Sequence, residues 1–100
     1  MRFMKIASID LTSGENLGVR ANGKEILIVN LNDKYYALGN LCTHKNCKLS
    51  DGIIEGESVK CPCHSSVFDI KTGKVTKGPA NKPVPTFKIK IEGDQILVDV

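Results

Sequence analysis

The sequence contains no tryptophan, two tyrosines, three phenylalanines and no long apolar run. So few aromatic residues leave no stacking platform for single-stranded nucleic acid. The lysines are scattered, with no basic block of five or more, and the net charge is a mild +3. A nucleic-acid-binding chain usually concentrates its positive charge. We therefore expect no nucleic-acid partner.

The chain also lacks the features of an exported or membrane protein. No stretch approaches the roughly 20 apolar residues of a membrane-spanning helix. The N-terminal sequence MRFMKIASIDLTSGEN begins with positive charge, but polar residues interrupt it every few positions, unlike a signal peptide. We expect a soluble, cytoplasmic chain with one domain, 1–100. A core this small gains from a metal or disulfide staple.

Short β-rich segments separated by turn signals make up most of the chain. The predicted strands lie at 2–9, 25–31, 34–40, 66–70, 74–76, 87–91 and 95–100, with a further short pair of strands over 53–61. The predicted hairpin turns lie at Asn32-Asp33, Glu55-Gly56-Glu57, Thr72-Gly73 and Glu92-Gly93-Asp94. No segment has the pattern of a long amphipathic helix. This pattern predicts a small all-β antiparallel sandwich or barrel.

All cysteines and histidines lie in two stretches between predicted strands, CTHKNC at 42–47 and CPCHSS at 61–66. Thiolates and imidazoles together suit zinc, iron or copper, and not calcium or magnesium. Two of each could form a tetrahedral zinc site or a [2Fe–2S] cluster in which histidines replace two cysteines. If four residues bind metal, Cys47 and Cys63 are surplus and can either pair or stay reduced.

The two stretches resemble the ligand boxes of Rieske iron–sulfur proteins, which read C-T-H-x-G-C and C-P-C-H-G-S in the high-potential respiratory members. The proline-rich segment 78–87 resembles the family's proline loop, which shields the cluster. The resemblance covers about residues 20–98. It implies one [2Fe–2S] cluster per chain, held by a two-loop cluster-binding subdomain on a small antiparallel β-sandwich or barrel.

The resemblance also implies the ligands. By position, Cys42 and Cys61 match the thiolate ligands of the buried iron, and His44 and His64 match the imidazole ligands of the outer iron. Neutral imidazoles reduce the negative charge of the cluster, so Rieske potentials run from roughly −150 to +300 mV, against about −400 mV for plant-type clusters. Because reduction raises the proton affinity of the ligand imidazoles, we expect the potential to fall at alkaline pH.

Three further positions match the family. Cys47 and Cys63 match the cysteines that form a disulfide between the two loops, and Ser66 matches the serine that donates a hydrogen bond to a bridging sulfide. Closing a loop of about 17 residues is worth roughly 3 kcal/mol, and less where the cluster already ties the loops. A disulfide is unusual in an intracellular protein, with hyperthermophiles as an exception.

Three positions depart from the respiratory pattern. Asn46 and Ser65 stand where that pattern has glycine, and a serine that must adopt positive φ is strained. Phe68 stands where the respiratory type has a tyrosine that hydrogen-bonds a cysteine sulfur. Phenylalanine at this position resembles the low-potential ferredoxins of the family. Because Ser66 supplies one hydrogen bond and Phe68 removes another, we expect a potential above those of the low-potential ferredoxins and below those of the respiratory type. Lys45 and Lys48 would favour the reduced state slightly, and we expect them to form solvated surface rather than a docking patch for an acidic partner.

The function implied is one-electron transfer from a reductase donor to an oxygenase or other acceptor, through the face that bears His44 and His64. We expect a monomer that is not itself an enzyme, because no substrate pocket or acid–base set is visible in the sequence. The alternatives are the ferredoxin of a multicomponent oxygenase, a small subunit of a reductase, a respiratory Rieske subunit and a structural zinc module. The absence of an N-terminal anchor disfavours the respiratory subunit.

Overall fold

The structure, a computed structural model, describes residues 3–8, 13–42, 47–63, 65–78, 80 and 82–99. That part of the chain contains one short 3-10 helix, Leu49–Asp51, and eleven strands. The strands are Phe3–Ser8 (β1), Asn16–Ala21 (β2), Lys24–Leu31 (β3), Lys34–Gly39 (β4), Ile53–Glu55 (β5), Ser58–Lys60 (β6), Val67–Asp69 (β7), Val75–Lys77 (β8), Thr86–Phe87 (β9), Ile89–Glu92 (β10) and Gln95–Asp99 (β11). Within the described ranges, no helix is long and apolar enough to cross a membrane.

The strands form three antiparallel sheets. Their orders are β1-β11-β10, β2-β3-β4-β9 and β5-β6-β7-β8. The third sheet is a meander in which each strand pairs with the next along the chain. The all-β antiparallel fold expected from the sequence is therefore confirmed.

The turn between β3 and β4 follows the prediction, and an equivalent turn was missed. Asn32 and Asp33 both adopt positive φ, at 53° and 68°, as a two-residue hairpin loop requires. The β2–β3 hairpin turns through Asn22 and Gly23, at 52° and 75°. An Asn-Gly pair is a strong hairpin signal, so β2 was predictable from the sequence although we did not predict it.

The prediction of one strand over 87–91 is wrong. β9 pairs with β4 in the second sheet, with Phe87 opposite Ala37, whereas β10 pairs with β11 in the first sheet, with Ile89 opposite Val98. The chain crosses between the sheets at Lys88, whose carbonyl accepts a hydrogen bond from the Asp99 N–H at 2.9 Å. Alternating apolar residues cannot reveal such a crossing, because both short strands keep the same period.

The central strand β3 buries both of its faces. Leu27 and Val29 belong to one core cluster, and Ile26 and Ile28 belong to a second one. Each of these four side chains is fully buried, which is worth about 1.5–3 kcal/mol per side chain. The first core cluster also contains residues of the β5–β8 sheet and both free cysteines. The central sheet therefore shares a core with Cys42 of the first box and Cys61 of the second.

Candidate metal centre

The first box begins at Cys42, three positions after the end of β4. Leu41 forms an isolated antiparallel bridge with Lys48, and the Cys42 N–H donates to the Cys47 carbonyl at 2.9 Å. These contacts bring the two ends of the box together and place Cys42 at its base. Residues 43–46, including the predicted ligand His44, lie outside the described residues.

The second box begins directly after β6. The Cys61 N–H donates to the Ser66 carbonyl at 2.7 Å, and the Ser65 N–H donates to the Cys61 carbonyl at 3.2 Å. Ser65 has a φ of +63°, which is the positive value that the sequence analysis identified as a source of strain at this position. The predicted ligand His64 lies outside the described residues.

The four cysteines divide into two pairs. Cys47 and Cys63 form a disulfide with a Cα–Cα distance of 6.4 Å, and this is the pair that the resemblance implies. Cys42 and Cys61 are free thiols, 0% and 1% exposed, in the same core cluster. Two free, buried cysteines in one core cluster fit soft-metal or iron–sulfur ligation. The described residues contain no group of three or more metal-ligating side chains, because both histidines lie outside them.

Ser66 ties the second box to the proline-rich loop. Its side chain is fully buried, and its Oγ accepts a hydrogen bond from the Ala80 N–H at 3.0 Å. The loop is held at two further points, by Val84 N–H to the Gly73 carbonyl and by Gly39 N–H to the Pro85 carbonyl. The proline-rich segment is therefore fixed against the second box and the end of β4.

Phe68 lies in the first core cluster, two residues after the second box. Its side chain is fully buried in the cluster that contains Cys42 and Cys61, and it pairs with Val59 across β6 and β7. A phenyl ring supplies no hydroxyl, so this position packs against the core and donates no hydrogen bond to a cysteine sulfur.

One exposed ion pair joins two turns of the β5–β8 sheet. Lys71 Nζ lies 3.2 Å from Glu57 Oε2. The hydrogen bond from Lys71 to Glu57 and the negative charge of that carboxylate raise the pKa of Lys71. Because water screens exposed charges, this pair contributes little to stability.

Comparisons with known proteins agree with this geometry. The family model of the Rieske [2Fe–2S] domain matches residues 2–88. The chain is 36% identical over 95 residues to the ferredoxin component of the naphthalene 1,2-dioxygenase system of Pseudomonas aeruginosa, covering 95% of this chain and 91% of that protein. It is 38% identical over 101 residues to the ferredoxin component of biphenyl 2,3-dioxygenase of Rhodococcus jostii, covering 100% and 94%.

Solved structures show the same fold. The ferredoxin of carbazole 1,9a-dioxygenase from Nocardioides aromaticivorans superimposes with a TM-score of 0.92 at 32% identity, covering 98% of this chain and 97% of that one. The Sphingomonas yanoikuyae ferredoxin superimposes with a TM-score of 0.93 at 28% identity, covering 99% of each chain. The chain therefore belongs to the Rieske [2Fe–2S] domain family, and a [2Fe–2S] cluster is its cofactor.

Proposed function

We propose that this chain is the ferredoxin component of a multicomponent oxygenase, taking one electron at a time from a reductase and passing it to the terminal oxygenase. The observation that carries the proposal is its similarity, over nearly the whole of both chains, to ferredoxin components of dioxygenases. A carbazole 1,9a-dioxygenase ferredoxin has also been solved in complex with its oxygenase, and it shares this fold with a TM-score of 0.91.

The proposed ligands are Cys42 and Cys61 for one iron and His44 and His64 for the other. Two observations support this set. Cys42 and Cys61 are free and buried in one core cluster, while the other two cysteines form a disulfide and so cannot bind iron as thiolates. The two histidines stand in the family's motif positions within the same boxes. A zinc module is no longer a competing interpretation, given the family.

The bound cluster supplies reversible one-electron chemistry at a reduction potential within the Rieske range of roughly −150 to +300 mV, because two of its ligands are neutral imidazoles. The chain's own residues set its surroundings. Burial of Cys42 and Cys61 keeps water from the thiolate side of the site. The Ser66 Oγ accepts the Ala80 N–H, which leaves the Ser66 O–H free to donate to a cluster sulfide. Because Phe68 donates no second hydrogen bond, we propose a potential between those of low-potential ferredoxins and respiratory Rieske proteins.

A stopped-flow experiment tests the electron-transfer role. The purified holoprotein is reduced without oxygen and mixed with the oxidised oxygenase component of the naphthalene 1,2-dioxygenase system, whose own ferredoxin is the positive control. We expect the visible spectrum of this protein to return to its oxidised form as the oxygenase is reduced. A stable reduced spectrum, alongside a competent positive control and a failure to stimulate product formation, would contradict the proposed acceptor class.

Four alanine variants test the ligand assignment. We expect Cys42→Ala, His44→Ala, Cys61→Ala and His64→Ala each to abolish the cluster spectrum. The matched control is the double variant Cys47→Ser/Cys63→Ser, which removes two cysteines from the same boxes and should keep the cluster. A control that loses the cluster as completely as the ligand variants would show that cysteine assignment by motif position is wrong.

We also propose that the protein works as a monomer in the cytoplasm, as expected from the sequence. The support is its similarity to components of bacterial oxygenase systems. Cell fractionation and sedimentation of the holoprotein test this proposal directly. A cytoplasmic location would place the Cys47–Cys63 disulfide in a reducing compartment, where disulfides are uncommon outside hyperthermophiles.

A further inference from the structure

Asn40 is a buried polar residue between β4 and the first box. It is 1% exposed and lies two positions before the proposed ligand Cys42. Its N–H donates to the Glu25 carbonyl of β3 at 3.0 Å, and its carbonyl accepts the Leu49 N–H at 2.7 Å. Its backbone therefore connects the central sheet with the helix that follows the first box.

The side chain of Asn40 reaches across the base of the box. Its Oδ1 accepts the Ser50 N–H at 2.8 Å, and its Nδ2 donates to the Ser50 Oγ at 3.0 Å. With the Leu49 bond, three hydrogen bonds from one residue join the two ends of the segment that carries the box. The Leu41–Lys48 bridge consists of the Leu49–Asn40 bond and the Cys42–Cys47 bond, so among the described residues these two backbone hydrogen bonds join the ends.

We propose that Asn40 is a positioning residue for the first ligand box, whose side-chain amide holds the loop closed so that Cys42 keeps its buried place. This inference rests on the proposed function, in which Cys42 is a cluster ligand. A loop closed by one isolated bridge has little ladder of its own to resist opening, and the disulfide ties it to the second box at Cys47 alone. The amide restrains the other end of the loop, and because it is buried, losing either of its partners leaves an unsatisfied polar group.

The neighbouring strand β2 restrains this amide. A Cβ built on Gly18 would lie 2.6 Å from the Ser50 Oγ and 2.8 Å from the Asn40 Nδ2. Such contacts are shorter than those of real Cβ atoms, so any side chain at position 18 would require the ends of the Asn40 and Ser50 side chains to shift. A methyl group at position 18 would push on Asn40 and Ser50 without altering any residue of the box. Gly18→Ala is therefore an independent way to disturb the same contact.

The matched control is the other buried asparagine of the same hairpin. Asn30 is 2% exposed, and its Oδ1 accepts the Asp33 N–H at 2.9 Å. It restrains the β3–β4 turn, which is the opposite end of the hairpin from Asn40. Asn30→Ala removes the same chemical group from the same hairpin at a place that holds no ligand, so it reports general loss of stability.

The experiment compares Asn40→Ala, Gly18→Ala and Asn30→Ala with the unaltered holoprotein. The readouts are the rate of cluster loss to an iron chelator, the line widths of the reduced-state EPR spectrum and the midpoint potential. We expect Asn40→Ala to lose its cluster roughly 10- to 100-fold faster, as for other residues that orient ligands. Its EPR lines should broaden and its potential should shift. Gly18→Ala should change the same three quantities less, and Asn30→Ala should lower only the melting temperature.

A second readout does not need the cluster. Amide hydrogen exchange in the apoprotein should be faster at Leu49 and Ser50 in Asn40→Ala, and unchanged there in Asn30→Ala. The proposal is overturned if Asn40→Ala matches Asn30→Ala in cluster loss, EPR and exchange. An unaltered protein that binds no cluster would instead refute the proposed function. The exchange rates at Leu49 and Ser50 would still show whether Asn40 holds the loop closed.

Discussion

Each ligand box is closed by a backbone hydrogen bond across its base, but the two boxes are reinforced by different means. In the first box the Cys42 N–H donates to the Cys47 carbonyl, and the buried amide of Asn40 adds two side-chain hydrogen bonds to Ser50. The second box is closed by its own backbone, through the Cys61–Ser66 and Ser65–Cys61 hydrogen bonds. The first arrangement requires a buried polar group to be fully satisfied, and the second requires a serine in a left-handed conformation.

The difference shows where each box is vulnerable. A loop held by a side-chain amide fails when the partners of that amide are removed, because an unpaired buried amide is costly. A loop held by strained backbone carries its cost in the folded state at all times, of order 1–2 kcal/mol for a non-glycine residue in the left-handed region. Substitution of the residues at the base of the first box should therefore destabilise that box. Substitution of the strained serine in the second box can instead increase stability.

The boxes are also joined to each other. The disulfide links Cys47 of the first box to Cys63 of the second. Gly52, just after the first box, lies so close to the carbonyl oxygen of Lys60, just before the second, that a Cβ on Gly52 would collide with it. The two loops thus behave as one unit around the buried thiols of Cys42 and Cys61.

The largest effect should come from the thiols, and it should be the same for both boxes. We expect Cys42→Ala and Cys61→Ala each to abolish the cluster spectrum and the bound iron, because one thiolate cannot hold an iron that needs two. Iron and sulfide analysis of the purified variants measures this. Retention of a normal cluster by either variant would break the equivalence of the two boxes.

Breaking the link between the boxes should have the next largest effect. Cys47→Ser/Cys63→Ser should lower the free energy of unfolding of the apoprotein by about 3 kcal/mol, the entropy cost of a loop of about 17 residues. The loss should be smaller in the holoprotein, since the cluster ties the same loops. Urea unfolding of both forms measures the two values, and an equal loss in each would contradict a shared restraint.

Removing the hydroxyl of Ser66 should disturb the second box alone. Ser66→Ala leaves the buried N–H of Ala80 without its acceptor, which should cost about 1–3 kcal/mol of unfolding free energy. The midpoint potential should also fall, because the substitution removes the proposed hydrogen bond from the hydroxyl to the cluster. The control is Ser58→Ala, at a half-buried serine of β6. An equal fall in potential in that variant would contradict a specific hydrogen bond from Ser66 to the cluster.

The smallest effect should be a gain. Ser65→Gly relieves the positive φ of +63°, but glycine loses more chain entropy on folding, so we expect a net stabilisation of about 0.5–1 kcal/mol. Thermal unfolding at matched cluster content measures this. A Ser65→Gly variant less stable than the parent would show that the second box is not strained at this residue.

Much of this molecule was predictable because its signals are local. Alternating apolar residues predicted most strands, and the Asn32-Asp33 pair predicted the turn between β3 and β4. The pairing of Cys47 with Cys63 followed from the resemblance of the two boxes. Those features need only neighbouring residues or a known motif.

The features that were missed depend on distant parts of the chain. The crossing at Lys88 depends on β4 and β11, which lie far apart in sequence. The role of Asn40 depends on Ser50, ten residues later, and on a glycine in β2. An asparagine before a ligand box carries no local sign of such partners, so only the folded structure reveals them.

A redox titration of the purified holoprotein across pH, followed by EPR or voltammetry, tests the central claim that two thiols and two imidazoles hold one cluster. We predict a single one-electron wave within the Rieske range of roughly −150 to +300 mV. The potential should fall at alkaline pH, because reduction raises the proton affinity of the ligand imidazoles. A pH-independent potential, or no wave together with stoichiometric zinc, would contradict the account.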